Sequence, residues 1–286
     1  MVPYRTHEST GSREIIAGDG IKLFVREWRA QSRSGTPKQA LLVHGLGEHS
    51  GRYGHVAKVF NDLGYDVWAH DHRGFGKSEG ARARIPDRNS LIDDTRLVFE
   101  TLRAGGADKP PLLLGHSMGG ALVARAVTGG WIAPSALVLS SPGLKSYISA
   151  PMRALTRTLE MAAPNLAVPH GLPLHTISHD PEVLVEAATD PLNHALITPR
   201  MTMFILEAGE AAIRDAGKLR IPVLVQAAGA DRLVDPQGAK DFAAAAPAGL
   251  CTLKIYDGLW HEIYNEREAD RARVLAALSD WVRGLA

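Results

Sequence analysis

The feature that most constrains this chain is P-L-L-L-G-H-S-M-G-G, residues 111–120, where an apolar run passes without interruption into a glycine-serine turn. Three consecutive leucines bounded by turn residues predict a short strand buried on both faces. The small residues that follow, to about Val127, predict a helix. The pattern G-x-S-x-G is weak alone because its residues are common, but a strand entering it and a helix leaving it make it a sharp strand-to-helix turn. Such a turn holds Ser117 at a strained backbone angle, and a Cβ at position 115 or 119 would collide with neighbouring backbone. The helix N-terminus behind Ser117 offers free N–H groups to developing negative charge.

The same rhythm runs along most of the chain. Residues 14–28 predict a hairpin turning at Gly18-Asp19-Gly20, and A-L-L-V-H-G (40–45) a buried strand. Residues 52–63 carry helix-spaced apolar positions, Gly64 ends them, and Y-D-V-W-A-H-D (65–71) is the next strand. A helix from Ser90 to about Leu102, with Asp93 as a box-like capping partner, precedes the strand ending at Ser117. A-L-V-L-S-S-P (136–142), 221–229 and C-T-L-K-I-Y-D (251–257) predict further strands, with helices near 236–245 and from Asn265, where Asn265 and Glu268 read as a capping pair. Strands alternating with helices imply an α/β fold with a mostly parallel sheet.

That rhythm stops at about Gly143 and resumes after Arg214. Seven prolines, at 151, 164, 169, 173, 181, 191 and 199, break the interval into helices and loops. Its spaced Leu, Met and Ile residues argue against disorder, so the expectation is a core built from 1–142 and 215–286, with 143–214 inserted as a helical cap over the active edge of the sheet.

A serine hydroxyl needs a base, and on this arrangement the partners follow in the order serine, acid, histidine, each in a loop after a strand. His261, in G-L-W-H just ahead of the last helix, fits the base among twelve histidines. Three carboxylates compete for the acid. Asp235 precedes Pro236 and reads as a helix cap, Asp257 closes a turn, and Asp231, just beyond strand 221–229, is assigned the role. Two N–H donors for an oxyanion are expected from Met118, directly after the serine, and Leu46, in the loop after strand 40–45.

Composition narrows the partners. The 32 basic and 31 acidic residues leave a net charge of +1, so nothing points to nucleic acid. Arg82, Arg84 and Arg88, the densest basic cluster, read as a solvated loop. A single cysteine, Cys251, excludes an intramolecular disulfide and reads as a small hydrophobe in a strand. No leader-like apolar region opens the sequence, and no apolar run reaches the ~18 residues of a membrane span. The expected location is cytoplasmic, with at most peripheral membrane contact through the cap, and the alanine- and arginine-rich composition suggests a bacterial source. The pairs His70/His72 and His175/His179 lack a third ligand, so no metal is expected. No phosphate-binding glycine motif is present, and no cofactor is expected.

Four segments resemble one family closely: H-G-L-G-E-H-S-G-R-Y (44–53), D-H-R-G-F-G-K-S-E-G (71–80), G-H-S-M-G-G (115–120) and W-H-E-I-Y-N-E (260–266). Together with D-P-L-N-H-A-L-I-T-P-R (190–200), they resemble the monoacylglycerol lipase and lysophospholipase branch of the α/β-hydrolases, in order and spacing, from about residue 13 onward. The resemblance implies an eight-stranded, mostly parallel sheet with a cap inserted after the sixth strand. It also implies a cofactor-free Ser117–Asp231–His261 triad, with Leu46 and Met118 as oxyanion donors, acting on single-chain esters through an acyl-enzyme. Glu48 and His49 could then hold the polar alcohol part of the substrate, although Glu48 could equally pair with Arg52 or cap the local helix. Asp71 and Arg73 read as structural. Leu259-Trp260 departs from the glycine of many relatives and bears on the alcohol side. Met152, Leu155, Met161, Leu166, Met201, Met203 and Phe204 are expected either to line an acyl tunnel or to form the cap's own core. The competing readings are a carboxylesterase for small or aromatic monoesters of phthalate type, a lysophospholipase and, more distantly, an aminopeptidase or thioesterase. Serine at 117 disfavours dehalogenase and epoxide hydrolase chemistry, which uses aspartate there. A non-catalytic binding protein on the same fold is the reading from another class.

Overall fold

The computed structural model describes residues 7–31, 36 and 38–285. Eight strands form one sheet: β1 (Gly11–Ile16), β2 (Lys22–Trp28), β3 (Lys38–Val43), β4 (Tyr65–His70), β5 (Leu112–His116), β6 (Leu137–Ser140), β7 (Val223–Ala228) and β8 (Cys251–Tyr256). Their order is β1-β2-β4-β3-β5-β6-β7-β8. The β1–β2 and β2–β4 pairs are antiparallel and all others parallel. The expected α/β-hydrolase sheet is therefore present, and its hairpin closes around the expected turn, where Gly20 N–H donates to Ala17 O and Ala17 N–H to Ile21 O.

The helices are α1 (Gly54–Asn61), α2 (Ser90–Arg103), α3 (Ser117–Thr128), α4 (Ala150–Ala162), α5 (Pro181–Thr189), α6 (Pro199–Asp215), α7 (Gln237–Ala245) and α8 (Glu268–Arg283), and all but α4 and α5 contribute buried residues to the apolar clusters on the two faces of the sheet. Every residue of β5 and β7 is buried, which is why these strands lack polar alternation. One apolar cluster, containing Leu113, Leu122 and Phe204, lies on one side of the sheet; another, containing Leu114, Phe60 and Leu278, lies on the other. Parallel strands with both faces covered expose their chemistry at their carboxyl ends, and β5 stands in the middle.

Two helix starts differ from expectation. The oxygen that caps α2 belongs to Asp87, whose Oδ1 accepts the amides of Asn89 and Ser90 at 2.7 and 3.0 Å, so Ser90 and Asp93 form no capping box. The last helix begins at Glu268, and Asn265 instead donates its amide to Glu262 at 2.9 Å. Both sequences offered capping side chains, but a neighbouring acid claimed the donors first.

Between β6 and β7 the chain forms α4, α5, α6 and a two-residue antiparallel ladder, Val168–Pro169 with Leu196–Ile197. Helix α6 starts where the Thr198 hydroxyl accepts Met201 N–H and Pro199 occupies the first turn. Its Met201, Phe204, Ala208 and Ala212 join the same apolar cluster as Leu122 and Val123 of α3, so the α6 end of 143–214 is welded to the core. The basic cluster is not simply solvated either. Arg88 Nε lies 2.8 Å from Glu160 of α4, and its guanidinium also meets Glu207 of α6, while Arg82 donates to the Gly74 and Gly76 carbonyls. Among the described residues no helix is long and apolar enough to cross a membrane.

Candidate active site

Ser117 has φ of 53°, a left-handed angle that costs a non-glycine residue energy and persists only when its surroundings fix it. The fixing is visible in the flanking glycines. A Cβ on Gly119 would lie 2.4 Å from the carbonyl oxygens of Val43 and His44, and one on Gly115 would lie 2.5 Å from Gly119 O. Strand β3, the turn and α3 therefore approach more closely than any side chain permits, and Ser117 is held at the carboxyl edge of β5.

His261 Nε2 lies 2.8 Å from Ser117 Oγ, and its Nδ1 lies 2.7 Å from Asp231 Oδ2. The other oxygen of Asp231 accepts the amides of Leu233 and Val234 at 2.8 and 3.0 Å. Those two bonds fix the carboxylate plane, and an Nδ1–H donated to Asp231 leaves Nε2 free to accept from the serine hydroxyl. Burial disfavours the His261 imidazolium, but the charge and hydrogen bond of Asp231, helped by Glu262 and Glu48, offset burial and raise its pKa above the ordinary histidine value. Burial likewise pushes Asp231 toward protonation, and His261 with the two amides outweighs it, so the acid is held below the usual range. Asp235 Oδ1 accepts Gln237 N–H at the start of α7, in keeping with a cap. A residue missed in the sequence, Tyr147, donates its hydroxyl to the Asp231 carbonyl at 2.9 Å; nothing in its local pattern marks it.

A family model described as serine aminopeptidase, S33, matches residues 36–268. The chain belongs to this family. Among curated relatives, a monoacylglycerol lipase of Mycolicibacterium smegmatis is 31% identical over 96% of this chain and 98% of its own length. The human monoglyceride lipase is 32% identical over 98% of this chain and 94% of its own. The crystal structure of a monoacylglycerol lipase from Paleococcus ferrophilus superposes with a TM-score of 0.82 at 30% identity, covering 92% of this chain and 99% of that one. The resemblance drawn from the four motifs is thereby borne out, and family, relatives and fold together make this chain a carboxylic ester hydrolase.

In this S33-family hydrolase a cavity of about 300 Å³ opens over Ser117, and Gly45, Leu46, His116, Leu172 and Ile177 are among its walls. Leu46 thus stands beside the serine, and Met118 occupies the first turn of α3, where amides have no partner within the helix. Glu48 also borders the cavity, but its oxygens are engaged. Oε1 accepts Gly45 N–H at 2.6 Å and the Tyr53 hydroxyl at 2.7 Å, and Oε2 accepts from Arg52 at 2.9 Å. Arg52 donates again, through two nitrogens, to both oxygens of Glu262 at 2.8 and 2.7 Å. Pairing of Glu48 with Arg52 was anticipated; Glu262 was passed over inside W-H-E-I-Y-N-E.

His49 does not border the cavity. Its Nδ1 accepts Gly51 N–H and its Nε2 lies 2.8 Å from Asp190, so it ties the loop after β3 to the end of α5. His194 makes a parallel tie, donating its backbone N–H to Gly47 O at 3.1 Å. Leu259 is buried in the core, and Trp260 stacks on His179 at 3.8 Å between ring centroids, and neither borders the cavity. Asp71 and Arg73 behave as structural residues: Asp71 accepts the Ser50 and Lys77 amides, and Arg73 forks onto Asp94. Three of the paired histidines are occupied: His70 Nε2 meets the Thr95 hydroxyl, His72 Nε2 contacts His44 O and His179 Nδ1 contacts Glu266.

The tunnel residues named from the sequence require correction. Met201, Met203 and Phe204 are buried on α6, whereas Met152, Leu155, Met161 and Leu166 are half-exposed or more, and none of the seven borders the cavity. Helical spacing separated apolar from polar faces without showing which apolar face turned inward. The apolar walls come instead from Leu172, Leu174, Ile177, Ala187, Ala188 and Leu233.

Proposed function

We propose that this hydrolase cleaves single-chain carboxylic esters of small polyols, of the monoacylglycerol kind, to a fatty acid and an alcohol through an acyl-enzyme on Ser117. The observation that carries the reading is the unbroken line from Asp231 through His261 to Ser117, with contacts of 2.7 and 2.8 Å at a strained turn. The printed names of the relatives support the substrate class.

In this mechanism His261 Nε2 takes the Ser117 proton as Oγ attacks the ester carbonyl carbon. The Leu46 and Met118 N–H groups receive the oxyanion, each contributing about 3 kcal/mol by analogy with comparable sites. Collapse of the tetrahedral intermediate expels the alcohol oxygen, which leaves with the proton from His261. Water then enters, gives a proton to His261 and releases the acid, restoring Ser117. No cofactor takes part in any step.

The segment from 143 to about 198 is assigned the lid role, with its exposed Met152, Leu155, Leu159 and Met161 as the face available for peripheral contact with lipid; α6 is assigned to the core. One observation favours a second reading, a carboxylesterase for smaller esters: 300 Å³ lies at the low end of ligand pockets, which run from about 300 to 1,000 Å³. A series of monoacylglycerols from butyryl to oleoyl, run beside p-nitrophenyl butyrate, separates the two. The expected optimum is a medium acyl chain, with kcat/KM falling toward oleoyl. Fast p-nitrophenyl butyrate turnover with negligible cleavage of every monoacylglycerol would replace the lipase reading by the small-ester one.

A further inference from the structure

Two carboxylates in the wall of the cavity share one guanidinium. Glu48 and Glu262 both bond Arg52, and all three groups are buried or nearly so. Their remaining partners are neutral: Gly45 N–H and the Tyr53 hydroxyl for Glu48, and the Asn265 amide for Glu262. Neutral donors satisfy the oxygens but leave the charge in place, so one negative charge is uncompensated. Burial favours the protonated form of each acid, yet Arg52 together with the hydrogen bonds each acid accepts outweighs burial and holds both below the usual carboxylate range. Asp190 adds a third carboxylate to the wall. Among the described residues lining the cavity, Arg52 is the one permanent cation. The imidazoles that share the wall do not make up the difference: His261, whose pKa is raised, is paired with its own carboxylate, Asp231. Burial lowers His116 to about 4, and it lowers His170 and His194 as well.

We infer that the Glu48–Arg52–Glu262 cluster selects the charge of the substrate: it admits esters whose alcohol part is uncharged and excludes those carrying a carboxylate or phosphate near the scissile bond. The inference rests on the ester-hydrolase reading above and names the substrate class within it. Its physical basis is that a like charge brought against a desolvated carboxylate is repelled at short range where salt screens poorly. Arg52 offers little to an incoming anion, because three of its N–H donors and its single positive charge are already committed to Glu48 and Glu262. Phthalate-type monoesters and lysophosphatidic acids therefore fall outside the range of this site, whereas glycerol esters fall inside it. Glu262 is the specificity-determining residue that converts a neutral Glu48–Arg52 pair into an anionic wall.

The test uses two esters of equal size, the octanoyl esters of glyceramide and of glyceric acid, which differ in one charge. Wild type is expected to favour the glyceramide ester in kcat/KM by about tenfold or more. Glu262→Gln, which keeps a hydrogen-bond acceptor for Arg52, is expected to shrink that ratio severalfold even if both rates fall. Equal rates for the two esters in wild type would overturn the inference, as would an unchanged ratio in a folded Glu262→Gln. Should neither ester be cleaved, turnover of octanoylglycerol tests the glycerol-ester reading separately, and the inhibition constants of the two esters against p-nitrophenyl octanoate hydrolysis decide the charge question. Weaker inhibition by the glycerate ester supports the wall, and equal inhibition refutes it.

Discussion

Ser117→Ala is expected to lower kcat for ester hydrolysis by about 10^4- to 10^6-fold while leaving the protein folded. The change removes only an oxygen from a side chain at the cavity floor, so no packing is lost, and alanine relieves none of the backbone constraint imposed by Gly115 and Gly119. What disappears is the atom 2.8 Å from His261 Nε2 that would carry the acyl group. The proposed oxyanion donors and the cavity would remain, and they would account for any residual rate above that in water. Steady-state assays, with circular dichroism to establish folding, check the expectation. Turnover within tenfold of wild type in a folded variant would place the nucleophile elsewhere.

Nearly as large an effect is expected for Asp231→Asn, about 10^4-fold in kcat, for a reason the hydrogen bonds make specific. The Leu233 and Val234 amides both point at Oδ1 and require an acceptor there. An asparagine oxygen would occupy that position, turning its NH2 toward His261 Nδ1. The imidazole would then carry its proton on Nε2, where it can no longer accept from Ser117. The same substitution removes the charge that raises the His261 pKa against burial. The proposed mechanism requires neutral His261, so in wild type kcat/KM is expected to fall as pH drops through a value above the ordinary histidine pKa of about 6.5. In Asp231→Asn the residual activity should persist to lower pH. A pH–rate profile of both proteins reads the shift, and identical acid limbs would mean that Asp231 does not govern His261.

Much of the fold was legible because buried parallel strands leave short apolar runs that helical periodicity cannot imitate. The runs at 40–45, 111–117 and 221–229 fell on β3, β5 and β7 in order. The positions of Ser117, His261 and Asp231 were legible for a related reason: each stands just past a strand end, where sequence order and spatial order coincide. Helix starts were less so. Ser90 and Asn265 have the chemistry of caps, but Asp87 and Glu262, acids a few residues upstream, compete for or redirect their bonds. The cap was the least legible part. Met152 and Met201 look alike in sequence, yet one faces outward from α4 and the other packs against α3, a distinction made by tertiary contact alone. Glu262, beside the histidine in W-H-E-I-Y-N-E, carries no local sign that its partner is Arg52, 210 positions earlier.

The lid reading and the anionic wall meet at one place. His49 binds Asp190, and Glu262 donates its backbone N–H to Ile177 O at 2.8 Å, so the loop after β3 and the loop bearing His261 both contact the segment between α4 and α6. Movement of that segment would alter the acidic wall and the access to Ser117 together.

The proposed acyl-enzyme is the most direct object to measure. Wild type mixed with excess p-nitrophenyl octanoate, quenched in acid within milliseconds and examined as intact protein and as peptides by mass spectrometry, should carry one octanoyl group on Ser117, formed in step with a stoichiometric burst of p-nitrophenol. An octanoyl group on another residue, or full turnover with neither burst nor adduct at any quench time and no labelling of Ser117 by a fluorophosphonate, would contradict the mechanism.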